Sequence, residues 1–201
     1  MNIQVIIGST RPNRFSEKPA HWIMGELAKH EGVQAELIDL RDYPLPMFDA
    51  EISPAWSGGN YPHESVMEWA AKISQADAYI MIAPEYNHGY SAVLKNALDW
   101  LYPEWAHKPV GFISYGGHGG ARVVEQLRQV VVELQMLPIK YALHIPVEAY
   151  IATMNQQAPV DPELFNGPLN ARFNLVETFI NELTDLAAAV QTLRAPATVN
   201  G

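Results

Sequence analysis

The stretch that decides the fold is YIMIAPEYNHGYSAVLKNALDWLY, residues Tyr79–Tyr102. It opens with a continuous apolar run, which is typical of a strand covered on both faces. Pro84 ends the run, because a proline cannot donate a hydrogen bond to a neighbouring strand. A polar and aromatic loop follows, and a helical pattern begins near Ser91, whose hydroxyl is suited to cap a helix. The stretch therefore predicts a buried strand, a chemically rich loop and a helix.

Four further apolar runs predict strands elsewhere in the chain. The five predicted strands are Ile3–Ile7, Gln34–Leu40, Ala78–Ala83, Pro109–Ser114 and Leu137–Ala142. Segments with helical periodicity lie between them, and a last one near Leu175–Leu183 follows the fifth strand. Strands that alternate with helices imply right-handed crossovers and a parallel sheet. We predict an α/β, flavodoxin-like three-layer sandwich, with a five-stranded parallel sheet in the order 2-1-3-4-5 and helices on both faces.

Length and composition indicate how the chain is organised. With 201 residues, of which 48% are hydrophobic and 17% charged, we expect one folded domain over residues 1–194. Residues 195–201 are expected to form a flexible tail. The segments 43–61 and 142–168 are rich in proline and are predicted to be irregular. Loops of that length in a compact domain are often functional or take part in assembly.

Composition also excludes several classes of function. The net charge of −9 disfavours general binding to nucleic acid or to anionic membranes. Because the chain has no cysteine, a redox function would have to come from a bound cofactor. The seven histidines show no paired spacing such as H-E-x-x-H, so no metal site is predicted. No apolar run has the length of a membrane span and no secretion signal follows Met1, so we expect a cytoplasmic protein.

The loop after the first predicted strand reads GSTRPNRFSEK, Gly8–Lys18. Its serine hydroxyls, its arginines and the start of a helix near Ser16 together suit a phosphate group. The loop lacks the Gly-Lys-Ser/Thr ending of a P-loop and the three glycines of a dinucleotide fingerprint. A surface loop with solvated arginines and Ser16 as an ordinary helix cap explains the same residues, so both interpretations stay open at this point.

Two more loops are predicted at the same edge of the sheet, after the third and fourth strands. Glu85–His88 offers donors, acceptors and a flat aromatic face, which would suit a planar heterocycle, and Gly89 is expected to permit the turn into the helix. SYGGHGG, Ser114–Gly120, has four glycines that allow a ligand to approach the backbone closely. Each loop alone is also explained as a plain connector. Together the three loops suit a flat ring with a phosphorylated tail, which describes FMN.

GSTRPNRFSEK, PEYNHGYSAVLKNALDW and SYGGHGG together resemble the NADPH-dependent FMN reductase family, which includes chromate, quinone and azo reductases. The resemblance extends from Asn2 to Leu186. It implies an FMN site made of three sets of residues. The phosphate would be held by Ser9, Arg11, Asn13 and Ser16, and the isoalloxazine ring and ribityl chain would be lined by Pro84, Glu85, Tyr86 and Asn87. The pyrimidine edge of the ring would be bordered by Ser114, Tyr115, Gly116 and Gly117.

The resemblance also implies a homodimer or homotetramer with sites near subunit interfaces. The aromatic set Trp100, Tyr102 and Trp105 is a candidate for such an interface, and core packing explains it nearly as well. For Arg14 and Arg122 we weigh a contact with the extra phosphate of NADPH against solvated surface positions, and the sequence favours the latter.

The resemblance implies an enzyme that passes hydride from NADPH or NADH through FMN to a small-molecule acceptor. The acceptor is expected to be free flavin, a quinone, an azo compound or a metal oxyanion. Since the flavin carries the chemistry, no protein group is predicted to be catalytic. The alternatives are a non-enzymatic electron carrier of flavodoxin type, and a phosphate-ester hydrolase or nucleotide-binding module.

Overall fold

The computed structural model describes residues 1–154, 165 and 174–191. Its strands are β1 (Asn2–Ile7), β2 (Gln34–Asp39), β3 (Ala78–Pro84), β4 (Pro109–Tyr115) and β5 (Leu137–His144). Its helices are α1 (Glu17–Leu27), α2 (Glu64–Ser74), α3 (Ala92–Asp99), α4 (Ala121–Glu133), α5 (Val147–Met154) and α6 (Leu175–Ala189).

The five strands form one parallel sheet in the order β2-β1-β3-β4-β5, which confirms the predicted topology. All residues of β3 and β4 are buried, as their continuous apolar sequences indicated. Because the central strands β1, β3 and β4 are neighbours, the loops that follow them start at one edge of the sheet.

Each face of the sheet carries its own apolar core. Alternate residues of β1 enter different cores: Ile6 packs with α2, α3 and α4, whereas Ile7 packs with α1 and α6. Trp100 and Trp105 are fully buried in the first of these cores. The role in a subunit interface is therefore wrong for these two residues, which serve core packing, and Tyr102 is half-buried and packs against the same core.

The first predicted irregular segment, 43–61, contains neither helix nor strand. It is held against α3 because Asn96 Nδ2 and Trp100 Nε1 each donate to the carbonyl of Pro46 at 2.8 Å. Asn96 Oδ1 also accepts from the amide of Phe48 at 2.9 Å.

The second segment, 142–168, is wrongly predicted in its first part. The strand β5 continues to His144, and α5 begins at Val147. Pro146 is compatible with this helix because it lies just before the first turn, where its missing N–H is not needed. Residues 155–164 and 166–168, like the tail 195–201, lie outside the described residues.

Over the described ranges, no helix is both long and apolar enough to traverse a bilayer. The assignment of residues 1–194 to one domain stays a prediction.

Candidate active site

Hydrogen bonds join the loops after β1, β3 and β4 to one another. The amide of Gly8 donates to the carbonyl of Ile82 at 2.9 Å, and the amide of Glu85 donates to that of Tyr115 at 2.9 Å. The hydroxyl of Ser91, which caps α3 by accepting from the amide of Leu94 at 3.2 Å, donates to the carbonyl of Gly8. The three loops that the sequence singled out therefore form one continuous edge.

Two arginines fix the backbone of the first loop. Arg14 is buried, donates twice to Asp39 at the end of β2 and also donates to the carbonyl of Ser9. Burial alone would raise the pKa of the Asp39 carboxyl, but the hydrogen bonds and charge of Arg14 outweigh it and lower that pKa. Arg41, which the sequence did not single out, donates to the carbonyls of Thr10 and Arg11. Arg14 is thus a structural clamp and not a solvated surface arginine.

Ser16 does not cap α1, so the alternative interpretation of it as an ordinary helix cap is wrong. Its backbone is already helical, and its hydroxyl makes no capping hydrogen bond. Ser16 Oγ is buried and forms no hydrogen bond of acceptable geometry with any residue that the structure describes. Buried polar atoms normally have a partner, so this hydroxyl next to a helix N-terminus indicates a group that is still to be bound.

A cavity of about 360 Å³ lies beside this helix start. The first loop lines it with residues 11–15, 17 and 18, and the remaining lining comes from three tyrosines, Tyr86, Tyr115 and Tyr150. Tyr150 belongs to α5 and was missed by sequence reasoning, because nothing in its local sequence marks it as part of the same cavity. The cavity brings Arg11 and Asn13 from the first loop together with Tyr86 and Tyr115 from the other two.

Hydroxyl groups converge around this cavity. The hydroxyls of Ser9 and Tyr86 lie 2.8 Å apart, and the Arg11 guanidinium lies 5.6 Å from the centre of the Tyr86 ring. Burial raises the pKa of the Tyr115 hydroxyl above its ordinary value, and the nearby hydroxyls of Ser16 and Ser9 oppose this rise only in part. Tyr115 therefore stays protonated at neutral pH and keeps an O–H that it can donate to an anion.

The second loop turns through a tight hairpin, Tyr86–Gly89. The amide of Tyr86 donates to the carbonyl of Gly89 at 2.8 Å, and the amide of Gly89 donates back at 3.0 Å. The left-handed backbone positions are Asn87 and His88, with φ of 51° and 69°. Gly89 is thus not the residue that permits the turn. Its lack of a side chain instead makes room for Gln126, whose Oε1 would lie 3.0 Å from an added Cβ.

The third loop folds back on the end of β4. Ser114 Oγ is buried, donates to the carbonyl of Gly119 at 3.0 Å and lies 2.8 Å from His144 Nδ1 on β5. An added Cβ at Gly120 would lie 2.7 Å from the Cβ of Ser114, and Gly120 has a φ of +77°. Only the backbone of Ser114 therefore remains for the predicted contact with a ring edge.

Glu85 also turns its side chain inward. That side chain is only 6% exposed, and Glu85 Oε1 lies 2.9 Å from Nη1 of Arg122 in the first turn of α4. An added Cβ at Gly116 would lie 2.9 Å from the Cβ of Glu85, so Gly116 has to lack a side chain. Arg122 is an ion-pair partner of the second loop and not simply a solvated surface arginine.

Of the twelve predicted site residues, four line the cavity, namely Arg11, Asn13, Tyr86 and Tyr115. Ser9 is hydrogen-bonded to Tyr86 of that group, and Ser16, which directly precedes α1, lies beside Tyr115. Pro84 is the last, buried residue of β3. Glu85 and Ser114 direct their side chains elsewhere, and Asn87, Gly116 and Gly117 contribute backbone to the two neighbouring loops.

The model of the NADPH-dependent FMN reductase family matches residues 1–148. The chain belongs to this family. An NAD(P)H-dependent FMN reductase of Schizosaccharomyces pombe is 40% identical to it over 163 residues, which is 80% of this chain and 78% of that protein. An NADPH:quinone oxidoreductase of Arabidopsis thaliana is 42% identical over 109 residues, 52% of this chain and 53% of the plant protein.

Among solved structures, the flavoenzyme FerB of Paracoccus denitrificans, an NAD(P)H:(acceptor) oxidoreductase, has the same fold. It matches at a TM-score of 0.59 and 25% identity, over 89% of this chain and 98% of FerB. As a member of the FMN reductase family, the chain is an enzyme, a flavin oxidoreductase whose cofactors are FMN and NAD(P)H.

The residues of the first loop fit the phosphate of FMN. This member of the FMN reductase family presents a helix N-terminus, the Arg11 guanidinium and a set of protonated hydroxyls, which are the groups that bind phosphate in proteins. The buried Ser16 hydroxyl lies near the hydroxyl of Tyr115 but makes no well-oriented hydrogen bond with the described residues, and it is the kind of donor that a phosphate oxygen would satisfy.

Proposed function

We propose that this enzyme passes reducing equivalents from NAD(P)H through FMN to a small diffusible acceptor, and that free flavin or a quinone is its main acceptor class. The single observation that carries the FMN part of the proposal is the hydroxyl cluster of Ser9, Tyr86, Tyr115 and Ser16 beside the start of α1, and the acceptor class rests on the names of the relatives. This cluster joins a phosphate site to the loop that would hold a ring. The name of the Arabidopsis relative supports the quinone class.

We further propose that FMN is held by the twelve residues that the sequence indicated. Ser9, Arg11, Asn13 and Ser16 would hold the phosphate, with the hydroxyl of Tyr115 as an additional donor. The hairpin Tyr86–Gly89 would form a platform for the ring, and residues 114–117 would border the pyrimidine edge through their backbone. Bound FMN supplies the hydride and electron transfer, so the protein's task is to bind and to orient.

Two amides of the hairpin, those of Asn87 and His88, donate to no other described residue, and we select the first of them as the donor for the ring. The amide of Glu85 is used by Tyr115 and that of Tyr86 by Gly89. The amide of Asn87 donates no hydrogen bond to any described residue, and the left-handed conformation of Asn87 sets its direction. We assign to this amide the role of holding the reactive nitrogen of the ring.

The proposal is tested with purified protein that has been stripped of flavin. We expect it to take up one FMN, and to oxidise NADPH or NADH faster when a quinone or free flavin is present than when an azo compound or a metal oxyanion is present. FMN uptake without NAD(P)H oxidation by any acceptor would favour the flavodoxin-type carrier. Failure to bind FMN would contradict the site itself.

We also propose a homodimer or homotetramer in the cytoplasm. Five large apolar side chains are exposed along the irregular segment and on α2: Met47, Phe48, Ile52, Trp56 and Met67. Trp56 is 85% exposed, and apolar patches of this kind usually mark an interaction surface. If these residues form a subunit interface, Trp56→Lys should lower the mass measured by light scattering, whereas Ile151→Lys on α5 should not.

A further inference from the structure

We propose that Arg122 and Gln126 are positioning residues, which hold the hairpin Tyr86–Gly89 in the conformation that receives the ring. This inference rests on the proposed FMN site. The two residues lie one turn apart on one face of α4. Arg122 Nη1 lies 2.9 Å from Glu85 Oε1, and Gln126 Nε2 donates to the carbonyl of His88 at 2.8 Å. They therefore contact the chain on both sides of Tyr86 and Asn87.

The packing leaves this arrangement little freedom. Two glycines, one in the hairpin and one in the third loop, accommodate the contacts. An added Cβ at Gly89 would lie 3.0 Å from Gln126 Oε1, and one at Gly116 would lie 2.9 Å from the Cβ of Glu85. A shift of α4 or of the Glu85 side chain would consequently move the hairpin with it.

Neither the stability of the helix nor that of the fold explains the position of the ion pair. Arg122 lies in the first turn of α4, where a positive charge opposes the helix dipole. The Glu85 carboxylate is almost fully buried, and its second oxygen forms no hydrogen bond with the described residues. Buried ion pairs contribute little net stability, whereas removing one partner leaves an uncompensated charge. The pair is best explained by the location that it imposes on residue 85.

The hairpin needs such a restraint. Asn87 and His88 occupy left-handed backbone positions in succession, and non-glycine residues stay there only when their surroundings enforce it. Without Arg122, the nearly buried Glu85 carboxylate loses its ion-pair partner, and we expect it to move towards water and to shift the start of the hairpin. The Asn87 amide would then lose its direction, although Arg122 itself does not contact the ring.

The decisive variants are Arg122→Met, the double variant E85Q/R122M and Gln126→Leu. Lys72→Met is a matched control, because Lys72 pairs a helix with the sheet carboxylate Glu36 at 2.7 Å and does not contact the hairpin. Affinity is measured by quenching of flavin fluorescence on titration into flavin-free protein, with FMN and with riboflavin, and the visible spectrum of the bound flavin is recorded. Circular dichroism verifies the fold of each variant.

We expect Arg122→Met to raise the dissociation constants of FMN and of riboflavin about tenfold. The factor should be the same for both ligands, because the variant removes support from the ring and not from the phosphate. Gln126→Leu should lower the affinity for both ligands to a smaller extent. E85Q/R122M should recover part of the affinity and of the spectrum, because no buried charge is left unpaired.

Wild-type protein that binds neither flavin would overturn the proposed function. If wild-type protein binds FMN, and Arg122→Met has the same flavin affinity and the same flavin spectrum as Lys72→Met, only the positioning role is overturned. If Arg122→Met does not fold, the proposal is tested with E85Q/R122M and Gln126→Leu. A flavin affinity equal to that of the wild type in both variants contradicts the proposal.

Discussion

Ser9 and Tyr86 lie 77 positions apart in the chain, yet their hydroxyl oxygens are 2.8 Å apart across the edge of the sheet. This contact connects the loop that suits a phosphate with the loop that suits a ring. It exists because β1 and β3 are neighbours in parallel register, so that Ile7 lies beside Ile82 and β3 ends only two residues later, at Pro84.

Removing the Ser9 hydroxyl should separate phosphate binding from ring binding. We expect Ser9→Ala to raise the dissociation constant for FMN about tenfold, the scale of one hydrogen bond to a charged group. Riboflavin, which has no phosphate, should bind nearly as before. Fluorescence titration measures both, with Ser57→Ala as the control outside the site. An equal loss for the two ligands would contradict the phosphate assignment.

Substitutions of Asn87 distinguish its backbone from its side chain. Asn87→Ala places a residue that disfavours positive φ at a φ of 51°, so FMN retention or turnover should fall while the fold persists. Asn87→Gly keeps the turn accessible and should retain most of the FMN affinity if the amide is the donor. Should the glycine variant lose as much FMN affinity as the alanine variant, the side chain would be the binding group.

Gly116 and Gly117 are adjacent but should respond differently to alanine. A Cβ at Gly116 would lie 2.9 Å from the Cβ of Glu85, whereas one at Gly117 meets nothing within 4 Å. Gly116→Ala should therefore lower thermal stability. Gly117→Ala should leave stability unchanged and lower the affinity for FMN, because it fills the space assigned to the ring edge. Thermal unfolding with and without FMN measures both effects, and an unchanged FMN affinity in Gly117→Ala would contradict that assignment.

The Arg14–Asp39 pair should make part of the stability depend on pH. The folded protein lowers the pKa of Asp39, so this contribution is complete above the unfolded value of about 4 and is lost as pH falls through the folded value. The difference in stability between wild type and Asp39→Asn should shrink as pH is lowered from about 5 to about 3. Urea unfolding at each pH measures it, and a constant difference would mean that another group titrates.

The fold was predictable because its signals are local. Continuous apolar runs mark β3 and β4, and each predicted strand end falls within two residues of the observed one. The orientation of site side chains was not predictable in the same way. Arg14 is buried because it pairs with Asp39 at the end of β2, and the side chain of Ser114 is directed toward His144 on β5. Such contacts depend on register and packing between elements, for which neither periodicity nor loop composition carries a signal.

The functions of individual glycines and of helix-capping residues were also not predictable from the local sequence. Ser16 and Ser91 both precede helices, but only Ser91 accepts a capping hydrogen bond. Gly89 was expected to turn the chain, whereas the turn uses Asn87 and His88. The residue type was informative in both cases, but the outcome depends on the helical backbone conformation of Ser16 and on the contact of Gly89 with Gln126.

Tyr150 makes the cavity depend on a helix that lies mostly outside the family match. It lines the cavity from α5, two residues beyond the end of the family match at residue 148. The three loops that we propose to hold FMN therefore lie within the family match, while one wall of the cavity comes from Tyr150 of α5, beyond the end of that match. Exchanging the segment from residue 147 onward between relatives would be a direct way to transplant ligand preference without rebuilding the sheet.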